Sequence, residues 1–187
     1  ALIACATRRH EVQTSAEFGE EIKGEVGVDF GKAMKRMRRV RSDIAEHDSV
    51  ARYSRDFVKH ICLERGVFTS ADTIEVGRKK LKFDKAMVAT GASAAVPPIP
   101  GLKDMPHLTN SNFWNLAELP PRMGVIGAGP IGLEMSQAMQ RFGCKVTCFE
   151  HSGQLLRRED PDAAKCLEGA LLEDGIDIRL GASARCV

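Results

Sequence analysis

In the stretch DFGKAMKRMRRVRSDIAEHDS, the apolar residues Phe30, Ala33, Met34, Met37, Val40 and Ile44 recur every three or four positions. That spacing predicts a helix with one face turned inward. The opening ALIACATRRH has an apolar run that is short and followed by charge; it reads as the inside of a helix begun upstream, not as a secretory signal. Asp48 or Ser49 stands where a cap would start a second helix through VARYSRDF. From Lys59 the period shortens. Strands are predicted over 66–70, 73–76, 79–83 and 86–90, with Ala71-Asp72 and Gly77 at the turns. This is a β-meander ending in a buried strand, AMVAT, where Ala89 precedes Thr90 and Gly91.

The four prolines of VPPIPGLKDMP make the next segment extended and stiff, and ELPPR is a second punctuation mark. The chain therefore divides into residues 1–115 and 116–187. In the second part MGVIGA is a strand, residues 130–142 are a helix stopped by Gly143, and KVTCFE is a second strand. Asp160 caps a further helix with Pro161 at its first position, running to Gly175, and IDIRL is the third strand. The order βαβαβ is half of a doubly wound fold, so the class is α/β.

VIGAGPIGLEMSQAM carries glycines spaced G-x-G-x-x-G between a strand and a helix, and an acid, Glu150, ends the next strand. That context points to dinucleotide binding. Gly127 permits the tight turn, Gly129 lets a pyrophosphate approach the backbone, and Gly132 lets the helix pack on the strand. The helix begins at Pro130 and Ile131, offering free N–H groups and a positive dipole end to phosphate. Glu150 is placed to accept from ribose hydroxyls and repels a 2′-phosphate, which favours NADH over NADPH; Arg157 and Arg158, close by in sequence, keep both open. The competing reading of the same residues is a glycine-rich turn without a ligand.

With 27 basic and 25 acidic residues the charge balance indicates no polyanionic partner. Lys32 to Arg41 contains no acid, but without interleaved aromatics it reads as a solvated helix face, not a nucleic-acid surface. No apolar run reaches the eighteen or so residues of a membrane span. The six cysteines lack CxxC or any metal-site spacing, and no metal is expected. They read as reduced structural thiols, which fits a reducing compartment. His10, His47, His60, His107 and His151 are isolated along the chain and read as surface or capped histidines.

The segments VATGASAAVPPIPGL, HLTNSNFWNLAELPPRMGVIGAGPIGLE and LLRREDPDAAKCLEGALLEDGI resemble successive pieces of the FAD-dependent pyridine nucleotide-disulfide oxidoreductases, nearest to mercuric reductase-like and dihydrolipoamide dehydrogenase-like members. The resemblance implies a middle section of such a chain. Residues 1–115 would be part of an FAD-binding domain containing the meander, and residues 116–187 part of an inserted Rossmann-like NAD(P)-binding domain. It implies hydride transfer from NAD(P)H to FAD and on to a disulfide or metal-ion substrate. Ala89, Thr90 and Gly91 resemble the turn that touches FAD. Gly127, Gly129, Pro130, Ile131, Gly132 and Glu150 resemble the NAD(P) contacts. Glu134 resembles a glutamate that pairs with a lysine beside the flavin, a lysine that would precede Ala1. The redox cysteine pair and the dimerisation domain lie outside these residues. The resemblance thus implies a homodimer for an intact parent and an inactive piece by itself. Two alternatives remain: a truncated relative serving as a structural or interaction subunit, and a free-standing NAD-binding module.

Overall fold

A computed structural model describes residues 1–24 and 26–186. The chain forms two compact units, residues 41–93 and the remainder.

In the larger unit, helix α1 (Leu2–Gln13) buries Leu2 and Ala6, and helix α2 (Phe30–Ala45), which belongs to this unit as far as Val40, buries Phe30, Met34 and Met37. These are the inward positions of the apolar stripe. Asp29 starts α2, its carboxylate accepting from the Lys32 N–H at 2.8 Å. The basic face is mostly solvated, but Arg38 turns back to donate to the carbonyls of Trp114 and Leu116 at 3.3 and 3.4 Å.

The βαβαβ order is present. Strand β4 (Arg122–Ile126), helix α4 (Pro130–Phe142), strand β5 (Lys145–Phe149), helix α5 (Pro161–Glu173) and strand β6 (Asp177–Arg179) follow in sequence. The three strands are parallel in the order β4-β5-β6, with Val125 opposite Cys148 and Cys148 opposite Ile178. Gly143 ends α4 in the left-handed region at φ 104°. Asp160 caps α5, accepting from the Asp162 and Ala163 N–H groups. One core joins these elements to α1 and α2: Met34, Met139, Val146, Leu155 and Leu171 are buried in it, and Phe30 meets Phe142 edge-on.

The smaller unit holds α3 (Val50–Asp56) and an antiparallel meander of β1 (Gly66–Ser70), β2 (Thr73–Val76) and β3 (Lys79–Lys82). Ser49 is the α3 cap; its hydroxyl accepts from the Arg52 N–H at 3.1 Å. The expected fourth strand over 86–90 is not formed, and AMVAT is not buried: Met87 is 91% and Val88 68% exposed. A strand needs ladder partners, and one apolar on both faces needs cover on each. Among the described residues no strand pairs with 86–90. Ala89, Thr90 and Gly91 are accordingly exposed and outside any strand.

No helix among the described residues is long and apolar enough to cross a membrane. Among the described residues all six cysteines are free, with Cys144 and Cys148 buried, and burial raises both thiols' pKa.

Candidate nucleotide site

The turn between β4 and α4 is shaped by its glycines. Gly127 sits at φ 101°, where side chains are strained, and its N–H donates to the Phe149 carbonyl at 2.8 Å. A Cβ on Gly132 would overlap the Gly127 carbonyl oxygen, whereas one on Gly129 would meet nothing within 4 Å. So Gly132 serves packing, and Gly129 borders open space.

The first helical turn leaves donors unused. Leu133 N–H bonds to the Gly129 carbonyl at 3.0 Å. The N–H groups of Gly129, Ile131 and Gly132 have no acceptor among the described residues, and Pro130 has no N–H to leave unpaired. Three amides at a helix N-terminus beside an open glycine suit an anionic oxygen cluster.

Glu150 closes the other side. It follows β5 directly, and its side chain points into the glycine turn: Oε2 accepts from the Ala128 N–H at 2.8 Å. Oε1 accepts from the Ser152 N–H and hydroxyl, each at 2.9 Å, and lies 2.8 Å from His151 Nδ1. Glu150 is 8% exposed. Burial alone would push its carboxyl up. The hydrogen bonds from Ala128 and Ser152, with the neighbouring His151, outweigh that and hold it below the usual carboxylate range. The group is an anion that both braces the turn and faces it.

Sequence reasoning found the glycines and the acid but missed how they are joined. Ala128 is clamped at both ends: its N–H goes to Glu150, and its carbonyl accepts from the Leu156 N–H at 3.0 Å. Leu156 is the one described non-glycine residue with positive φ, 47°, so the 151–159 loop carries backbone strain where it grips the turn. Nothing in residue identity announces a backbone donor. His151 is not isolated, being paired with Glu150; its place next to the acid in sequence was the available signal.

Glu134 lies one turn further along α4. It is exposed and lines a cavity of about 30 Å³ against α1 with Ile3, Ala6, Thr7, Gln137, Ala138 and Arg141. Ala89, Thr90 and Gly91 belong to the smaller unit. Gly91 adopts φ 71° with open space where a Cβ would stand, which suits close backbone approach to a ligand.

The sequence pattern of the pyridine nucleotide-disulphide oxidoreductases matches residues 7–187. The chain belongs to that family. Among curated members it is 36% identical to the mercuric reductase of Lysinibacillus sphaericus over 136 residues, 73% of this chain and 24% of that protein. It is 30% identical to the dihydrolipoyl dehydrogenase of Acholeplasma laidlawii over 188 aligned residues, 94% of this chain and 53% of that one. Among solved structures, a Cu(II) complex of the HOCl-induced flavoprotein disulfide reductase RclA from Escherichia coli superposes with a TM-score of 0.77 at 27% identity, covering 99% of this chain and 38% of RclA. The chain thus spans between about a quarter and about half the length of these relatives.

Proposed function

We propose that this chain is the part of a flavoprotein reductase that binds NAD(P)H and positions it against FAD, the intact protein passing reducing equivalents to a disulfide or metal-ion substrate. Bound nicotinamide and flavin supply the hydride transfer; the chain's residues bind, orient and shield. The observation that carries the reading is the buried Glu150 carboxylate bonded into a glycine turn that borders open space at Gly129 and leaves the N–H groups of Gly129, Ile131 and Gly132 without an acceptor among the described residues. Gly129, Ile131 and Gly132 would hold the pyrophosphate and Glu150 the adenosine ribose. An anionic Glu150 disfavours a 2′-phosphate, so NADH is the preferred donor.

On this reading residues 1–115 belong to the FAD side, with Ala89, Thr90 and Gly91 at the flavin nucleotide, and residues 116–187 to the NAD(P) side. Glu134, on the α4 face that meets the first turns of α1, stands where the nicotinamide side would approach the flavin side. The intact protein is taken to be a homodimer, as the family resemblance implies.

The test is NADH binding by the natural full-length polypeptide and its Gly129→Val variant. Space around Gly129 lets valine fold in place, so the variant should keep its unfolding midpoint and lose NADH binding at least about tenfold. Undiminished binding by a folded Gly129→Val protein refutes the assignment of this turn.

A further inference from the structure

The peptide planes of the glycine turn are fixed one after another. Among the described residues no peptide bond is cis, so each carbonyl points opposite the N–H of the residue after it. Glu150 Oε2 holds the Ala128 N–H, which leaves the Gly127 carbonyl against Gly132. The Gly129 carbonyl accepts from the Leu133 N–H at 3.0 Å. Between these two, the Ala128–Gly129 peptide is held among the described residues by one bond, from Leu156 N–H to the Ala128 carbonyl at 3.0 Å. Its other end, the Gly129 N–H, is therefore directed away from Leu156 and finds no acceptor there.

Nothing else stops this peptide from turning over. Glycine accepts either sense of φ, and the space around Gly129 is open. The free amides of Ile131 and Gly132 are oriented by α4 itself, but that of Gly129 depends on Leu156. Leu156 makes its bond from an unfavourable conformation: its φ is 47°, a region glycine enters freely and leucine only at a cost. Its carbonyl accepts from the Glu159 N–H at 2.7 Å, and its side chain packs on the core. Bonds at both ends and packing between them hold the strain in place. Strain held this firmly gathers at ligand sites, where it sets a geometry before the ligand arrives.

We propose that Leu156 is a positioning residue of the nucleotide site: its strained backbone locks the Ala128–Gly129 peptide so that the Gly129 N–H is presented to a pyrophosphate. The inference rests on the NAD(P) reading of the glycine turn and adds to it the residue that orients one of the three amides. Without the Leu156 N–H, the peptide samples both orientations, and the nucleotide has to select one of them.

The experiment compares NADH binding, by calorimetry, in the natural full-length polypeptide and in forms altered at residue 156. The α-hydroxy acid counterpart of leucine at 156 turns the amide into an ester, removing the N–H and keeping the side chain. NADH should then bind about three- to tenfold more weakly, the scale of one net hydrogen bond. Leu156→Val, harder to hold at positive φ, should weaken binding in the same direction. Leu156→Gly keeps the N–H and relieves the strain, so it should stay within about twofold of the parent. In turnover the loss should raise the KM for NADH and leave kcat unchanged, whereas a damaged fold lowers kcat through the folded fraction. Parent affinity in the ester form, or a loss in Leu156→Gly as large as the ester's, overturns the role of Leu156. The NAD(P) reading is decided separately, by whether the parent binds NADH and Gly129→Val does not.

Discussion

Gly129 and Gly132 are glycines for opposite reasons. A Cβ at Gly132 strikes the Gly127 carbonyl, a backbone atom that cannot move without opening the turn. Gly132→Ala should therefore cost about 1–3 kcal/mol, read as a lower urea midpoint, while Gly129→Val leaves that midpoint alone. Glu150 makes a second prediction. Its pKa is lowered on folding, so its ionised form contributes stability that is fully present above the unfolded value of about 4.3 and is lost as pH falls through the folded value. Glu150→Gln should lower stability by about 1–3 kcal/mol at neutral pH, since its amide cannot accept from both Ala128 and Ser152. The gap to the parent should begin to close as pH falls below the unfolded value of about 4.3 and be closed once it has passed below the folded carboxyl's lowered value. A gap constant down to pH 2 would mean the charge contributes nothing to the turn. These residues were legible because glycine and an acid are the only side chains that fill their roles. The grip on Ala128 was not, because backbone donors such as Leu156 N–H carry no signature in the letters.

Helix α1 and helix α4 meet along matching stripes: Ile3, Ala6, Thr7 and His10 on one, Glu134, Gln137, Ala138 and Arg141 on the other. Both follow the i, i+3, i+4, i+7 spacing of a helix face. Asp174, at the end of α5 and almost wholly buried, locks one end of this seam. Its carboxylate accepts from Gln137 Nε2 at 2.7 Å and Arg141 Nε at 2.9 Å, and lies 3.3 Å from His10 Nδ1. Asp174→Ala should cost about 2–3 kcal/mol, below the full price of breaking a buried pair because Arg141 keeps some contact with water. Amide exchange along α1 should quicken more than along β5; equal quickening would place the loss in the core instead of the seam. The elements themselves were readable: caps at Ser49 and Asp160, the stop at Gly143 and the apolar stripe of α2 all mark local chemistry that the fold uses. The seam was not, because it joins residues more than a hundred positions apart through a carboxylate with no motif.

At the scale of the molecule, AMVAT shows where local pattern and context part. Its apolar run is that of a strand covered on both faces, yet Met87 and Val88 face solvent, and among the described residues nothing pairs with them. A strand is a property of a sheet, and periodicity reports only half of that contract. The chain spans about a quarter of one relative and about half of another, so strands of a longer polypeptide would have room to flank this segment. If they do, the backbone N–H groups of 86–90 enter a ladder, and their exchange in the natural full-length polypeptide should slow by at least about a thousandfold relative to an unstructured peptide, the protection that roughly 4 kcal/mol of local opening energy confers. Ala89, Thr90 and Gly91 would then be held at the end of a fixed strand, where backbone placed beside a flavin nucleotide has to be. Free exchange at Met87 and Val88 in the full-length polypeptide would leave them an open arm, and the proposed flavin contact at Thr90 and Gly91 would lose its support while the nicotinamide turn, braced by its own hydrogen bonds, kept its own.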